Sequence, residues 1–200
     1  MSLREKKKEE TKAKLLAAAR SAFEARGYGA AKTSDIAKEV GIAEGTLFNY
    51  FPTKAELFLA AMLPSPEAPS QPPAKAESSV ASDAAGWAEA AVAVVDERLR
   101  GLAGMAKGLQ REFVALGYAG GAAEATGLAA FDSGIADAIG ALFAEELRAR
   151  EPAAAELATE CACGLALACY SAYIMEDAMT YDAMLSRLRR QLEFALKGHG

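Results

Sequence analysis

The stretch TSDIAKEVGIAEGTLFNYFPTK, Thr33 to Lys54, constrains the fold more tightly than any other part of the chain, because residue type and spacing there dictate a shape. Thr33 is a small hydroxyl residue suited to cap a helix start. Ile36, Ala37 and Val40 then recur at the spacing of one helical face. Gly41 follows directly, where a helix ending in a left-handed residue favours glycine, and Ile42 is placed to fold back onto the preceding turn. From Glu44 to Phe51 the apolar Leu47, Tyr50 and Phe51 again lie three and four apart, while Gly45, Thr46, Phe48 and Asn49 point elsewhere. Pro52 forbids continuation, and Lys54 opens the next helix with a positive charge. The pattern is a helix-turn-helix. The outward face of its second helix is small, polar or aromatic, which is what a helix lying in the major groove of DNA requires.

Thr33, Ile36-Ala37, Gly41-Ile42, Gly45-Thr46-Leu47-Phe48, Tyr50-Phe51, Lys54 and Leu57 closely resemble the signature of TetR-family transcriptional regulators. The resemblance covers roughly Lys8 to Phe58, about a quarter of the chain, and beyond it only length and helical character are shared. It implies an all-α protein, with an N-terminal three-helix helix-turn-helix DNA-binding unit and a C-terminal helical domain for ligand binding and dimerisation. It also implies DNA contact by Thr33, Ser34, Gly45, Thr46, Phe48, Tyr50 and Lys54, with Asn49 as the variable position that reads a base. The chemistry agrees with these roles. The hydroxyls of Thr33, Thr46 and Tyr50, the amides of Gly45 and Thr46, and the Lys54 ammonium suit phosphates, whereas Asn49 suits adenine. Two positions depart from the family pattern. Phe48 stands where tyrosine is common and offers apolar contact to a thymine methyl instead. Ala43 stands where serine or threonine often caps the recognition helix, a loss typically worth ~1 kcal/mol.

The formal charge of −5 is at first sight wrong for a partner of DNA. It is unevenly spread: residues 1 to 63 carry a net +3 and the remainder a net −8, so the positive part holds the motif. A hydrophobic content of 52% is ample for a core, and alanine-rich periodic segments without strand-like alternation indicate helices throughout. Charged residues break up the N-terminal segment, so no signal peptide is expected. The uncharged run Cys161 to Met175 is shorter than the roughly 20 residues of a membrane span and is expected to be a buried helix. Cys161, Cys163 and Cys169 are odd in number and confined to that helix, which suits reduced thiols and a cytoplasmic location. They are expected to be small buried apolar residues rather than a redox sensor. Cys161 and Cys163 lie about 200° apart on a helix, so no metal site is expected, and no cofactor.

Along the chain, a first helix is expected from Glu9 to Arg26, ended by Gly27-Tyr28-Gly29, with Lys6, Lys7 and Lys8 before it as a solvated start or a basic arm. Residues 1–63 form the DNA-binding domain together with the start of a connecting helix carrying Leu57, Phe58, Ala61 and Met62. Pro64, Pro66, Pro69, Pro72 and Pro73 with their serines mark a linker over 64–81. Residues 82–200 form the second domain. Ser82 or Asp83 is expected to cap a helix through Trp87, Val94, Val95 and Leu99, interrupted at Gly101 to Gly104. Further helices follow around Met105 to Leu116, Leu128 to Arg150, Ala153 to Asp177 and Tyr181 to Lys197, with Gly117 opening a loop.

Leu185, Leu188, Leu192 and Leu196 on the last helix, with Ala162 and Ala166 on the one before, are expected to pair two copies as a four-helix bundle. The alternative is that both helices fill the chain's own core. Trp87, Phe113, Tyr118, Phe131, Phe143, Tyr170 and Tyr173 are candidates to line a pocket for a small apolar or aromatic effector, although aromatics at helical spacing serve equally as plain core. Arg111, Glu112 and Asp132 are polar candidates for the same pocket. The expected partners are therefore a double-stranded DNA operator, a second copy of the chain and a small-molecule effector, with no membrane. Two other function classes compete: a helical interaction module with a vestigial helix-turn-helix, and a helical-bundle enzyme. The only histidine is His199 and neither H-E-x-x-H nor G-x-S-x-G occurs, so catalysis is not expected.

Overall fold

A computed structural model describes residues 2–63, 83–119, 134–144 and 152–197. Among these residues there are nine helices and no strands. In chain order they are α1 (Leu3–Ala30), α2 (Thr33–Val40), α3 (Glu44–Phe48), α4 (Lys54–Met62), α5 (Ala84–Ala103), α6 (Lys107–Ala119), α7 (Gly134–Ala144), α8 (Pro152–Met175) and α9 (Tyr181–Leu196). The proline-rich stretch 64–81, Phe131 and Asp132 lie outside the described residues.

By contact the chain divides into two compact units, one of residues 1–64 with 105–129 and the other of 65–104 with 130–200. The linear division at 63 and 82 assigns α6 to the C-terminal domain. In the fold α6 instead lies against α1 and α4, with Leu109 and Phe113 buried.

In the first unit, α1 starts earlier than its apolar face predicts. Ser2 and Glu5 form a capping box, the Glu5 amide donating to Ser2 Oγ at 3.2 Å and the Ser2 amide to Glu5 Oε2 at 2.6 Å. Lys6, Lys7 and Lys8 are consequently helical and exposed, not an extended arm. Gly27 breaks the helix as expected, at φ 78° and ψ 164°, but one further turn follows it to Ala30. The core is aromatic: Phe58 meets Phe23 and Tyr28 edge-on, both at 5.0 Å between centroids, among fully buried Leu15, Ile36, Leu47, Leu57 and Met62. Gln110 is buried on α6, and its Nε2 donates to the Met105 carbonyl at 2.7 Å, meeting the requirement that a buried amide be bonded.

In the second unit, Asp83 caps α5 by accepting from the Gly86 amide at 2.9 Å, and Thr180 caps α9 by accepting from the Ala183 amide at 3.1 Å. The interruption expected over Gly101 to Gly104 falls at its far end, since α5 continues to Ala103 and ends at Gly104. Likewise α6 in the first unit runs through Gly117 and Tyr118. α9 packs on both α5 and α8. The Tyr181 hydroxyl donates to Asp96 Oδ1 at 3.1 Å, and Arg100 pairs with the same carboxylate. Burial, and then the neighbouring Asp96 charge, push the Tyr181 phenol well above its ordinary range, so it stays protonated and remains a donor. Arg189 reaches from α9 to Glu89 on α5, with Nη2 donating at 3.0 Å.

Ala154–Met175 of α8 is long and apolar enough to cross a membrane by length and composition. That helix packs on α9, with Ala155, Ala158, Ala162, Ala166, Cys169, Tyr170, Tyr173 and Ile174 buried. At about 100° per residue these fall on one side. Among the described residues nothing covers the opposite side, contrary to the expectation of a helix enclosed on several faces: Leu157, Cys161, Gly164, Ala168 and Met175 form an exposed stripe along it.

Candidate nucleic-acid interface

The turn between α2 and α3 is set by Gly41, at φ 79° and ψ 31°. The Gly41 amide donates to the Lys38 carbonyl at 3.1 Å and the Ile42 amide to that of Ala37 at 3.0 Å, a Schellman closure that only a residue tolerant of positive φ forms without strain. Leu47 and Phe51 are then buried as the anchors of α3. Their burial fixes which residues face outward: Gly45, Thr46, Phe48 and Asn49 are exposed, and Tyr50 is half-buried. Ser34 is exposed at the start of α2. Together with Thr33 these residues make the outward surface of the helix pair that the sequence pattern requires. α3 itself is shorter than predicted, five residues ending at Phe48, with Asn49 as its C-cap. Ala43 provides no side-chain cap, as its chemistry dictates.

Three roles expected from residue chemistry differ in place. Thr33 is not the cap of α2, which is Lys32 in extended conformation. The Thr33 hydroxyl donates instead to Glu44 Oε1 at 2.6 Å, tying the start of α2 to the start of α3. The Thr46 amide donates to the Ala43 carbonyl at 2.9 Å, which leaves the backbone role at a phosphate to Gly45. Lys54 is turned inward: its ammonium lies 4.6 Å above the Tyr28 ring and donates to the Gly29 carbonyl at 3.3 Å. It therefore clamps α4 to the end of α1, and Arg26, 3.0 Å from Asp35, does the same between α1 and α2. Thr53, unnoticed in the sequence, caps α4 by accepting from the Glu56 amide at 3.0 Å. The Thr-x-x-Glu spacing was the available signal.

The described candidate effector residues are divided between the two units. Trp87, Phe143, Tyr170 and Tyr173 are buried in the second unit, with the Tyr170 and Tyr173 rings 6.1 Å apart. Phe113 is buried in the first unit and Tyr118 is exposed there. Burial pushes the Tyr170 phenol up, keeping it neutral. Trp87 Nε1 is buried with no hydrogen-bond acceptor. Arg111 and Glu112 are half-buried on α6 in the first unit.

The expected dimer contacts are placed differently as well. Leu188, Leu192, Leu196, Ala162 and Ala166 are all buried inside the single chain, and Leu185 is half-buried. α9 spends its leucine face on its own unit, and the large apolar residues of α8 and α9 that are strongly exposed are Leu157, Leu167, Met175 and Phe194. A groove of about 510 Å³ between these helices is lined by Cys161, Leu165, Arg187, Arg190, Gln191, Phe194 and Ala195. Of the cysteines only Cys169 is buried, where burial raises its thiol above the ordinary value and its sulfur lies 3.1 Å from Gln191 Oε1; Cys161 is exposed. Among the described residues no group of three or more His, Cys, Asp or Glu is placed to hold a metal.

Residues 15–61 match the family model described as bacterial regulatory proteins, tetR family. No curated protein matches the chain. The matched span begins at the first buried residue of α1 and ends within α4, so it contains the whole helix-turn-helix and its supporting core. The signature residues and the exposed α3 face both lie inside it, and residues 15–61 form a helix-turn-helix region similar to the DNA-binding part of TetR-type regulators.

Proposed function

We propose that the protein is a repressor that binds a palindromic operator as a homodimer and is released by a small apolar or aromatic effector. The reading rests on one observation, the exposed Gly45, Thr46, Phe48 and Asn49 face backed by fully buried Leu47. Gly45 lets the backbone approach a phosphate, Thr46 and Tyr50 offer hydroxyls, Asn49 pairs with adenine and Phe48 meets a thymine methyl. Ser34 supplies a hydroxyl from the start of α2, while the Thr33 hydroxyl is already donated to Glu44. Lys54 holds the scaffold through Tyr28 and Gly29.

Dimerisation is supported by the outward stripe Leu157, Cys161, Gly164, Ala168 and Met175, an apolar surface that a second copy would cover. Exposed Glu156 and Glu160 on α8 and Arg187 and Arg190 on α9 supply opposite charges for reciprocal pairing. Recognition helices about 34 to 36 Å apart then read successive turns of DNA. An effector role is supported by Trp87, whose indole N–H is the kind of buried donor that a ligand oxygen satisfies. Such a regulator works in the cytoplasm.

Selection of genomic DNA fragments at several salt concentrations, with and without candidate effectors, tests the reading. Recovery of one palindromic sequence, with affinity that falls steeply as salt rises, is the expected result. Recovery of no preferred sequence would leave a protein-interaction module as the better account. On a selected operator, Asn49→Ala should cost roughly 1–3 kcal/mol at one base pair of each half-site.

A further inference from the structure

We propose that Glu44 is a specificity-determining residue that reads cytosine, an inference that rests on the DNA-binding reading of α3. Glu44 is the first residue of α3 and is exposed, beside exposed Gly45 and one turn before exposed Phe48. Its carboxylate is not loose: Thr33, eleven residues earlier in the chain, donates its hydroxyl to Oε1 at 2.6 Å. A charge-assisted bond this short holds one carboxylate oxygen in place and so restrains the side chain.

A carboxylate on a surface that approaches DNA is costly unless it finds a donor. Phosphates have none, and the major-groove edges of guanine and thymine offer only acceptors at the positions a side chain reaches. Two base donors remain, cytosine N4 and adenine N6. Adenine sets its donor beside the N7 acceptor, which suits the amide of Asn or Gln; an ionised carboxylate accepts only and leaves N7 unpaired. Cytosine N4 is thus the one base group that meets Glu44 without an uncompensated acceptor. The same charge is repelled by the acceptors of guanine and thymine and by the flanking phosphates, so Glu44 discriminates by what it rejects as well as by what it binds. In this arrangement Thr33 acts through Glu44 and is its positioning residue.

The test is operator selection from a random double-stranded DNA library by the full-length protein, followed by competition binding with single-base operator variants. Wild type, Glu44→Gln, Glu44→Ala and Thr33→Val are compared, with helical circular dichroism confirming that each is folded. Wild type should require cytosine at one position of each half-site, with replacement costing roughly 5- to 150-fold. Glu44→Ala should lose that preference and keep those at other positions. Glu44→Gln should move the preference to adenine. Thr33→Val should blunt discrimination at the Glu44 position several-fold while leaving the Asn49 position unchanged, an effect that mere loss of a phosphate contact does not produce. An unchanged base preference in both Glu44 variants would overturn the proposal. So would Glu44→Ala binding all sequences more tightly with the same preferences, because Glu44 would then be only a repelling charge. Failure of the wild type to select any sequence would instead overturn the operator reading itself.

Discussion

Lys54→Met separates two roles that one side chain can serve. The substitution keeps an unbranched stem and removes the ammonium, which lies 4.6 Å above the Tyr28 ring and 3.3 Å from the Gly29 carbonyl. A cation over an aromatic ring at a half-buried site contributes ~0.5–1 kcal/mol. A charged donor to a carbonyl contributes about 1.5 kcal/mol, and less at a long 3.3 Å separation. Together these predict a loss of roughly 1–2 kcal/mol in urea unfolding, or a drop in Tm of ~2–4 °C per kcal/mol for a chain of this size. Lys54→Arg keeps the cation over the ring and should recover most of the loss. The second readout is operator affinity against salt. Each phosphate contact contributes about 0.9 to the slope of log K against log salt, so a dimer losing two such contacts would show a slope shallower by about 1.8. The clamp predicts lower affinity at an unchanged slope, because α4 no longer seats the recognition helix. A Lys54→Met protein as stable as wild type, with the slope reduced by about 1.8, would refute the clamp and restore Lys54 as a phosphate ligand.

At Gly41 a Cβ would meet nothing within 4 Å, so Gly41→Ala isolates the backbone cost of φ 79°, expected at ~1–2 kcal/mol in denaturant unfolding, with Gly41→Asn cheaper. Leu188 and Phe194 lie about 120° apart around α9, at 0% and 79% exposure. Leu188→Asp should prevent folding by burying an unpaired charge, whereas Phe194→Asp should leave thermal unfolding of the dilute protein unchanged and shift sedimentation toward the monomer. If Phe194→Asp sediments as wild type does, the outward face is not the contact between copies. With a thiol reagent, Cys161 should react first and Cys169 last, since burial both shields the Cys169 sulfur and raises its thiol pKa; equal rates in the native protein would contradict that burial.

Local chemistry was the legible part of the sequence. Gly41 is readable because few residues tolerate a positive φ at a helix end, and Asp83 because a short acceptor before an apolar run satisfies free helix amides. The burial of Phe58 with Leu57, Ala61 and Met62 is readable from their spacing on α4. Partnership was not legible. The leucines of α9 announce one buried face, but periodicity does not say whether α5 and α8 of the same chain or a second copy covers it. Lys54 illustrates the same limit in the candidate site. A positive charge at the start of a helix suits a phosphate and an aromatic ring equally, and Tyr28 is brought to it only by the fold. Glu44 was passed over because a carboxylate counts against DNA binding until Thr33 is seen to hold it. The capping box at Ser2 and Glu5 was present in the sequence, but the lysine run beside it drew the reading toward an arm.

The placement of the α9 leucines changes how self-association has to be built. A helix that is apolar on all sides needs cover on all sides, and among the described residues α8 receives it on one side only, along Ala155, Ala158, Ala162, Ala166 and Tyr173. The opposite stripe has glycine or alanine at Gly164 and Ala168, which permits close helix approach, and larger side chains at Leu157 and Met175 near its two ends. α9 contributes a face of different character, Ala183, Arg187, Arg190 and Phe194, because its leucines are already committed to the unit. An interface made of these surfaces is apolar along α8 and basic with one aromatic anchor along α9. Burying it requires no unpacking of either chain, whereas pairing through Leu188, Leu192 and Leu196 would expose the core that holds α5, α8 and α9 together. In the proposed dimer, folding of the single unit and association of two copies would use different faces of the same two helices, which is why substitutions at Leu188 and Phe194 are expected to separate them.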